Sequence, residues 1–151
     1  MTSETLARSI VAQLRAAGHQ AYLVGGCVRD LLLGRTPKDF DVATDARPDR
    51  VSELFERSEQ VGAHFGVVLV RENTSQVEVA TFRSDASYSD GRRPDAVRFE
   101  TDPRQDVMRR DFTINALLLD PDTNQVLDFT GGQEDLRRRV VRARQYGFRR
   151  D

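Results

Sequence analysis

The run from Gly25 to Thr44, GGCVRDLLLGRTPKDFDVAT, constrains the fold more than any other stretch of this chain. Ala21–Val24 before it reads as a short buried strand. It delivers two adjacent glycines, then a short apolar helix through Leu33 that Gly34 and Pro37 stop. Phe40–Thr44 reads as the next strand. Glycines at a helix start let backbone N–H groups approach an anion closely. Asp39 and Asp41 stand one residue apart, so a strand would point both to one face. Carboxylates so placed supply the hard oxygen ligands that divalent cations take. A phosphate cradle followed by an acid pair suits two-metal phosphoryl or nucleotidyl transfer. Singly the parts say little: a Gly-Gly pair is most often a tight turn, and an Asp-x-Asp is usually two solvated acids beside one. Their order and spacing carry the information.

A chain of 151 residues, 38% hydrophobic and 31% charged, fits one soluble globular domain with its own core. No apolar run approaches membrane-spanning length, and the N-terminus lacks a signal-peptide pattern. The single cysteine, Cys27, has no internal disulfide partner, so a cytoplasmic protein is expected. Cys27 itself is expected to pack as a small apolar residue. The net charge of −1 conceals a skewed basic set in which Lys38 is the only lysine. Arg137, Arg138, Arg139, Arg142, Arg144, Arg149 and Arg150 make the tail basic. It reads equally as a solvated surface and as a nucleic-acid patch.

Along the rest of the chain, Thr2 or Ser3 caps a helix with Leu6, Ile10, Val11 and Leu14 on its apolar face, ending at Gly18. Pro48 starts a helix reaching about Arg57, with Val51, Leu54 and Phe55 inward. Val67–Val70 and Val77–Phe82 flank a hairpin turn at Glu72–Ser75. In the alternating run Val77-Glu78-Val79, Glu78 projects opposite the valines, which by itself describes a solvent-facing strand residue. Ser84 to Pro103 lacks periodicity and is rich in Ser, Asp, Gly, Arg and Pro, so a long mobile loop is expected there. A helix near Gln105–Asp111 follows, then a hairpin of Leu117–Leu119 with Val126–Phe129. Leu136 begins a last short helix, and Val140-Val141 closes the sheet. The expected class is mixed α/β (α+β).

These segments together resemble the class II nucleotidyltransferases, the bacterial CCA-adding enzymes and poly(A) polymerases of the polymerase-β superfamily. The resemblance runs from Tyr22 to Thr44. It resumes at Gly62–Val70, Val77–Arg83, Asp90–Pro94, Arg109–Leu119 (RRDFTINALLL) and Asp128–Ala143. It implies a polymerase-β-type head domain over residues 1–151, a mixed sheet flanked by helices. It implies a metal site of Asp39, Asp41 and Glu78, the last falling where the family places its third carboxylate. Mg²⁺ is the expected ion, with Mn²⁺ as a substitute. Gly25, Gly26 and Arg29 would bind the triphosphate, with Lys38 nearby. Arg110, Asp111 and Asn115 would contact the nucleotide and its ribose. Asp90–Pro94 would be the family's flexible catalytic loop.

The implied substrates are nucleoside triphosphates (ATP, CTP) and an RNA 3′ end, such as that of tRNA. Family enzymes follow the head with a helical neck whose Glu-Asp-x-x-Arg motif pairs with the incoming base, and further helices bind tRNA. Glu134-Asp135-Leu136-Arg137-Arg138 matches that motif by letter. It lies, however, in a Gly131-Gly132-x-x-Asp135-Leu136 segment resembling the end of the head, so it is not taken as the base reader. The chain stops at Asp151, where a neck would begin. The expectation is a minimal nucleotidyltransferase with weak base selection. The alternatives are an inactive or regulatory nucleotide- or RNA-binding module, and a fragment of a longer enzyme.

Overall fold

The computed structural model describes residues 2–62, 66–88 and 94–143. A seven-stranded mixed sheet organises the chain. Helix α1 (Ser3–Ala16) is capped by the Thr2 side chain, which accepts from the Thr5 amide at 3.0 Å. Its buried face, Leu6, Ala7, Ile10, Val11 and Leu14, packs on β1 (Ala21–Val24), β2 (Asp41–Thr44) and β5 (Ser75–Thr81). Each of its Leu, Ile and Val side chains contributes about 1.5–3 kcal/mol when fully buried, enough to hold an amphipathic helix that would be marginal alone. Helix α2 (Gly26–Leu32) follows β1, and α3 (Pro48–Leu54) covers β3 (Ser58–Gly62) and β4 (Val67–Glu72).

Beyond β5 come β6 (Arg83–Tyr88) and β7 (Pro94–Phe99), then α4 (Pro103–Met108) and a 3-10 turn at Thr113–Asn115. β8 (Leu117–Asp120), β9 (Gln125–Asp128) and α5 (Gly132–Arg137) complete the described elements. The sheet order is β3-β4-β5-β2-β1-β8-β9; β6 and β7 pair separately. Among the described strands only β2 and β5 run parallel, with Asp41 opposite Glu78.

Both faces of the central strands are buried. Leu23, Val42, Val77, Val79, Leu117 and Leu119 face α1 and α3. Val24, Ala43 and Leu118 face a smaller cluster with Phe82 and Val107 of α4. By the two-residue period, Asp41 and Glu78 lie on this second face. That places them past the end of its apolar cluster, with Leu69 and Gln76 as neighbours. Among the described residues no helix is long and apolar enough to cross a membrane.

Several expectations are corrected. The segment expected to be a loop from Ser84 to Pro103 largely forms the β6–β7 ribbon, while residues 90–93 of the expected catalytic loop lie outside the described residues. The helix from Pro48 ends at Leu54, and Ser58–Gly62 is an edge strand that the sequence reading missed. Helix α5 starts at Gly132, not Leu136. Its first turn is capped by Asp128, whose carboxylate accepts from the amides of Thr130, Gly131, Gly132 and Gln133. Val140-Val141 adds no strand; instead Ala143 bridges to Phe112. Arg144, Arg149 and Arg150 of the basic tail lie outside the described residues.

Candidate active site

Gly25 sits at φ +83°, a conformation that side chains with a Cβ rarely adopt, and it turns the chain from β1 directly into α2. Its amide donates to the Leu117 carbonyl at 3.3 Å, so what Gly25 offers a ligand is its shape rather than its N–H. The next amides, of Gly26 and Cys27, occupy the first turn of α2, where no intrahelical acceptor exists. The expected cradle is thus narrower than two glycine amides. Cys27 is buried, and burial pushes its thiol above the ordinary cysteine range, consistent with a packing role.

Helix α2 then projects Arg29. Its Nε donates to Asp30 Oδ1 at 3.0 Å and its Nη1 to Asn115 Oδ1 at 3.0 Å. The two nucleotide motifs anticipated from sequence are therefore joined by a direct hydrogen bond between Arg29 and Asn115. Gly26, Arg29, Asp30, Arg35, Thr36 and Lys38 line a groove together with Asp39 and Asp41. Asp39, Asp41 and Glu78 line a second cleft with Leu69 and Gln76. A groove of mixed charge and an acidic cleft thus share two aspartates.

Asp39 precedes β2 rather than lying in it, so the same-face argument for the pair holds only in the approach to the strand. The alternation survives there, since Phe40 between the acids is buried in the core. Asp41 is half-buried. Burial, then Glu78, push its carboxyl up to about 6; Arg110 partly offsets this and Asp39 adds to it. The cause is uncompensated negative charge in a partly desolvated cleft. The donor set is all carboxylate oxygen, which fits a hard divalent cation. The set is not closed up, however: among the described residues no three acids or other ligating side chains are gathered tightly enough to form a ready ligand cluster.

Arg110 lies beside Gly25. A Cβ on Gly25 would meet Arg110 Nη1 at 3.5 Å. Asp111, the expected ribose contact, is exposed. Asp135 is 4% exposed. It accepts from Thr113 Oγ1 at 2.6 Å and from Arg142 Nε at 3.0 Å. Its carboxylate is thus occupied within the head, while Glu134 pairs with Arg137 at the surface. This gives the physical reason to set aside the Glu-Asp-x-x-Arg match as a base reader.

Sequence reasoning missed Arg35, Thr36 and Asp106. The first two follow a glycine stop and read as loop. Asp106 reads as an ordinary acid of a helical turn, although its spacing to Arg109 and Arg110 is the i, i+3 and i, i+4 pairing signal.

Comparison with known proteins gives this arrangement a family. The poly A polymerase head domain family matches residues 21–142. The chain is 46% identical over 136 residues to the CCA-adding enzyme of Oceanobacillus iheyensis, covering 90% of this chain and 34% of that protein. It is 47% identical over 126 residues to that of Bacillus subtilis, covering 83% and 32%. The crystal structure of Bacillus stearothermophilus CCA-adding enzyme in complex with CTP superposes with a TM-score of 0.82 at 38% identity, covering 95% of this chain and 34% of that one. A tRNA nucleotidyltransferase complexed with a primer tRNA and an incoming ATP analog superposes with a TM-score of 0.68 at 29% identity, covering 88% and 38%. The chain spans about a third of the length of these relatives. With its strand–Gly-Gly–helix entrance, its paired acids and its Arg-Arg-Asp segment in one mixed α/β head, the chain belongs to the poly A polymerase head domain family.

Proposed function

We propose that this chain is the nucleotide-binding and catalytic head of a metal-dependent RNA nucleotidyltransferase of the CCA-adding type. The observation that carries the reading is the shared acid pair: Asp39 and Asp41 line both a groove that holds Arg29, Arg35 and Lys38 and an acidic cleft that holds Glu78. A triphosphate laid in the groove, against the Gly26 turn and the Arg29, Arg35 and Lys38 side chains, brings its reacting phosphate to the two aspartates. Asp39, Asp41 and Glu78 would hold Mg²⁺, or Mn²⁺ in its place. A bound divalent ion supplies neutralisation of the phosphate charge and a lowered pKa for the attacking RNA 3′-hydroxyl. Asn115 orients Arg29, and Arg110 lies beside Gly25. The solved relatives bound to CTP, and to tRNA with an ATP analog, support ribonucleotide and tRNA substrates.

Base selection by this head is proposed to be weak. A wrong base is rejected when it leaves buried polar groups unpaired. Asp135, which matches a base-reading pattern by letter, is engaged with Thr113 and Arg142. The remaining contacts are to phosphate and sugar, common to every ribonucleotide.

Calorimetric titration of the purified chain with NTPs and Mg²⁺ tests the reading. ATP, CTP, GTP and UTP should bind with similar, weak affinity. Arg29→Ala and Arg110→Ala should each weaken CTP binding about tenfold or more through loss of a charge-assisted contact. ATP should bind better than dATP if Asp111 accepts from the ribose; equal affinities would remove that role from Asp111. Incubation with labelled tRNA and CTP separates a catalyst from a binding module, which would titrate normally yet extend no RNA.

A further inference from the structure

Among the described residues only two carboxylates are buried, Asp106 at 0% and Asp135 at 4% exposure, and both grip the Arg109–Asn115 segment. Asp135 holds the 3-10 turn through Thr113. Asp106 serves several partners at once. It lies on the inward face of α4 beside Val107, and its Oδ1 accepts from the Arg83 amide at 3.1 Å and from Arg109 Nη2 at 3.4 Å. Its Oδ2 accepts from Arg110 Nη2 at 3.4 Å. Sinking a carboxylate costs several kcal/mol unless it is paired, and a short helix does not require it. The burial ties the start of β6 to α4 through the Arg83 amide and holds two arginines, of which Arg110 lies beside Gly25.

Arg110 carries five N–H donors in a rigid fork, and Asp106 engages only one end of it. The Arg110 Nε is buried without a hydrogen-bond partner, while Nη1 lies against Gly25. The Arg109 Nε shares that state, so what distinguishes Arg110 is its place beside Gly25. The positive charge of Arg110 is also felt by Asp41. Charges therefore alternate from Asp106 through Arg110 to Asp41, and the innermost member touches only protein.

Resting on the nucleotide-site reading above, we propose that Asp106 is a positioning residue for nucleoside triphosphate binding, acting through Arg110. A double-mutant cycle tests it, with CTP affinity measured by calorimetry in Mg²⁺ on the whole chain. Asp106→Asn and Arg110→Gln should each weaken CTP binding about tenfold or more, and the double variant should be no weaker than the weaker single one. Wild-type affinity in Asp106→Asn, or effects that add, would overturn the proposal and leave Asp106 a purely structural acid. If Asp106→Asn does not fold, Asp106→Glu keeps the charge but displaces it; it should fold and still bind CTP more weakly, and wild-type binding would again overturn the proposal. NMR of the arginine side chains gives a nucleotide-free readout. The Arg110 guanidinium should rotate slowly in the wild type and freely once Asp106 is replaced. Free rotation in the wild type would show that Asp106 does not hold it. A wild-type chain that binds no CTP at all would instead sink the nucleotide reading, while the NMR result still decides whether Asp106 fixes Arg110.

Discussion

Asp41→Asn should abolish nucleotide addition to RNA and, in the same molecule, stabilise the metal-free fold at neutral pH. The loss should be on the order of 1000-fold, because several kcal/mol of charge stabilisation at the reacting phosphate would go with the carboxylate. The gain follows from the crowding of acids. Asp41 has a folded pKa of about 6 against an ordinary 3.8, raised by burial and by Glu78. Between those values the folded state holds the proton more tightly than the unfolded one. Stability therefore falls as pH rises through this window and stays reduced above it. Asparagine carries no such penalty. In EDTA the variant should melt higher than the wild type at pH 7.5, by about 1–2 kcal/mol after allowance for partial exposure, and the two should converge below pH 4. Thermal melts across pH, alongside a tRNA extension assay, measure both effects. A variant that is less stable than the wild type at pH 7.5 would show that Asp41 carries no electrostatic strain.

Gly132→Ala should be among the most damaging single-methyl changes in the head. The added Cβ would lie 2.1 Å from the Thr113 carbonyl oxygen and 2.8 Å from its carbon. Both are backbone atoms, so no side chain can swing aside. Helix α5 is also fixed in place by the Asp128 cap and by the Asp135–Thr113 bond. Relief requires moving α5 off the 3-10 turn, at about 3 kcal/mol, or a melting temperature lower by roughly 10 °C for a chain of this size. Because Asn115 in that turn holds Arg29, CTP binding should weaken as well. Gly131→Ala is the control. Gly131 has φ +85° but open space around its Cβ position, so it should lose only about 1 kcal/mol for the strained backbone. Equal melting temperatures for the two variants would show that α5 docks less closely than described.

The parts legible in the sequence are those where burial and backbone chemistry speak together. The Ala21–Val24 strand was readable to the residue, because an apolar run ends at a glycine that needs positive φ. The Glu72–Ser75 hairpin was readable because a polar turn parts an all-apolar run, Val67–Val70, from an alternating one, and Asn73 takes the left-handed turn position at φ +56°. Ser58–Gly62 was invisible because an edge strand carries polar residues that mimic a loop. The β6–β7 ribbon lies outside the main sheet, so it shows no long apolar period. The start of α5 was misplaced because its cap, Asp128, lies at the end of β9, before two glycines. At the site, the acids were legible as types and spacing, and Glu78 through family resemblance. The link between Arg29 and Asn115 depends on which elements meet, which no local pattern encodes, whereas the pairing of Asp106 with Arg109 and Arg110 has a local i, i+3 and i, i+4 spacing.

The parallel junction of β2 and β5 has a consequence for how the molecule assembles. A parallel pair cannot be joined by a tight turn; α3, β3 and β4 must be laid down between its two strands before Asp41 and Glu78 meet. Contacts so distant along the chain carry a large loop-closure cost and tend to form late. The hairpins β4–β5 and β8–β9 are local and can form early, while the acidic cleft appears only when β5 docks beside β2. During refolding, divalent-ion or nucleotide binding should therefore lag behind the gain of secondary structure, and a ligand that binds the cleft would draw the final docking step forward rather than the early ones.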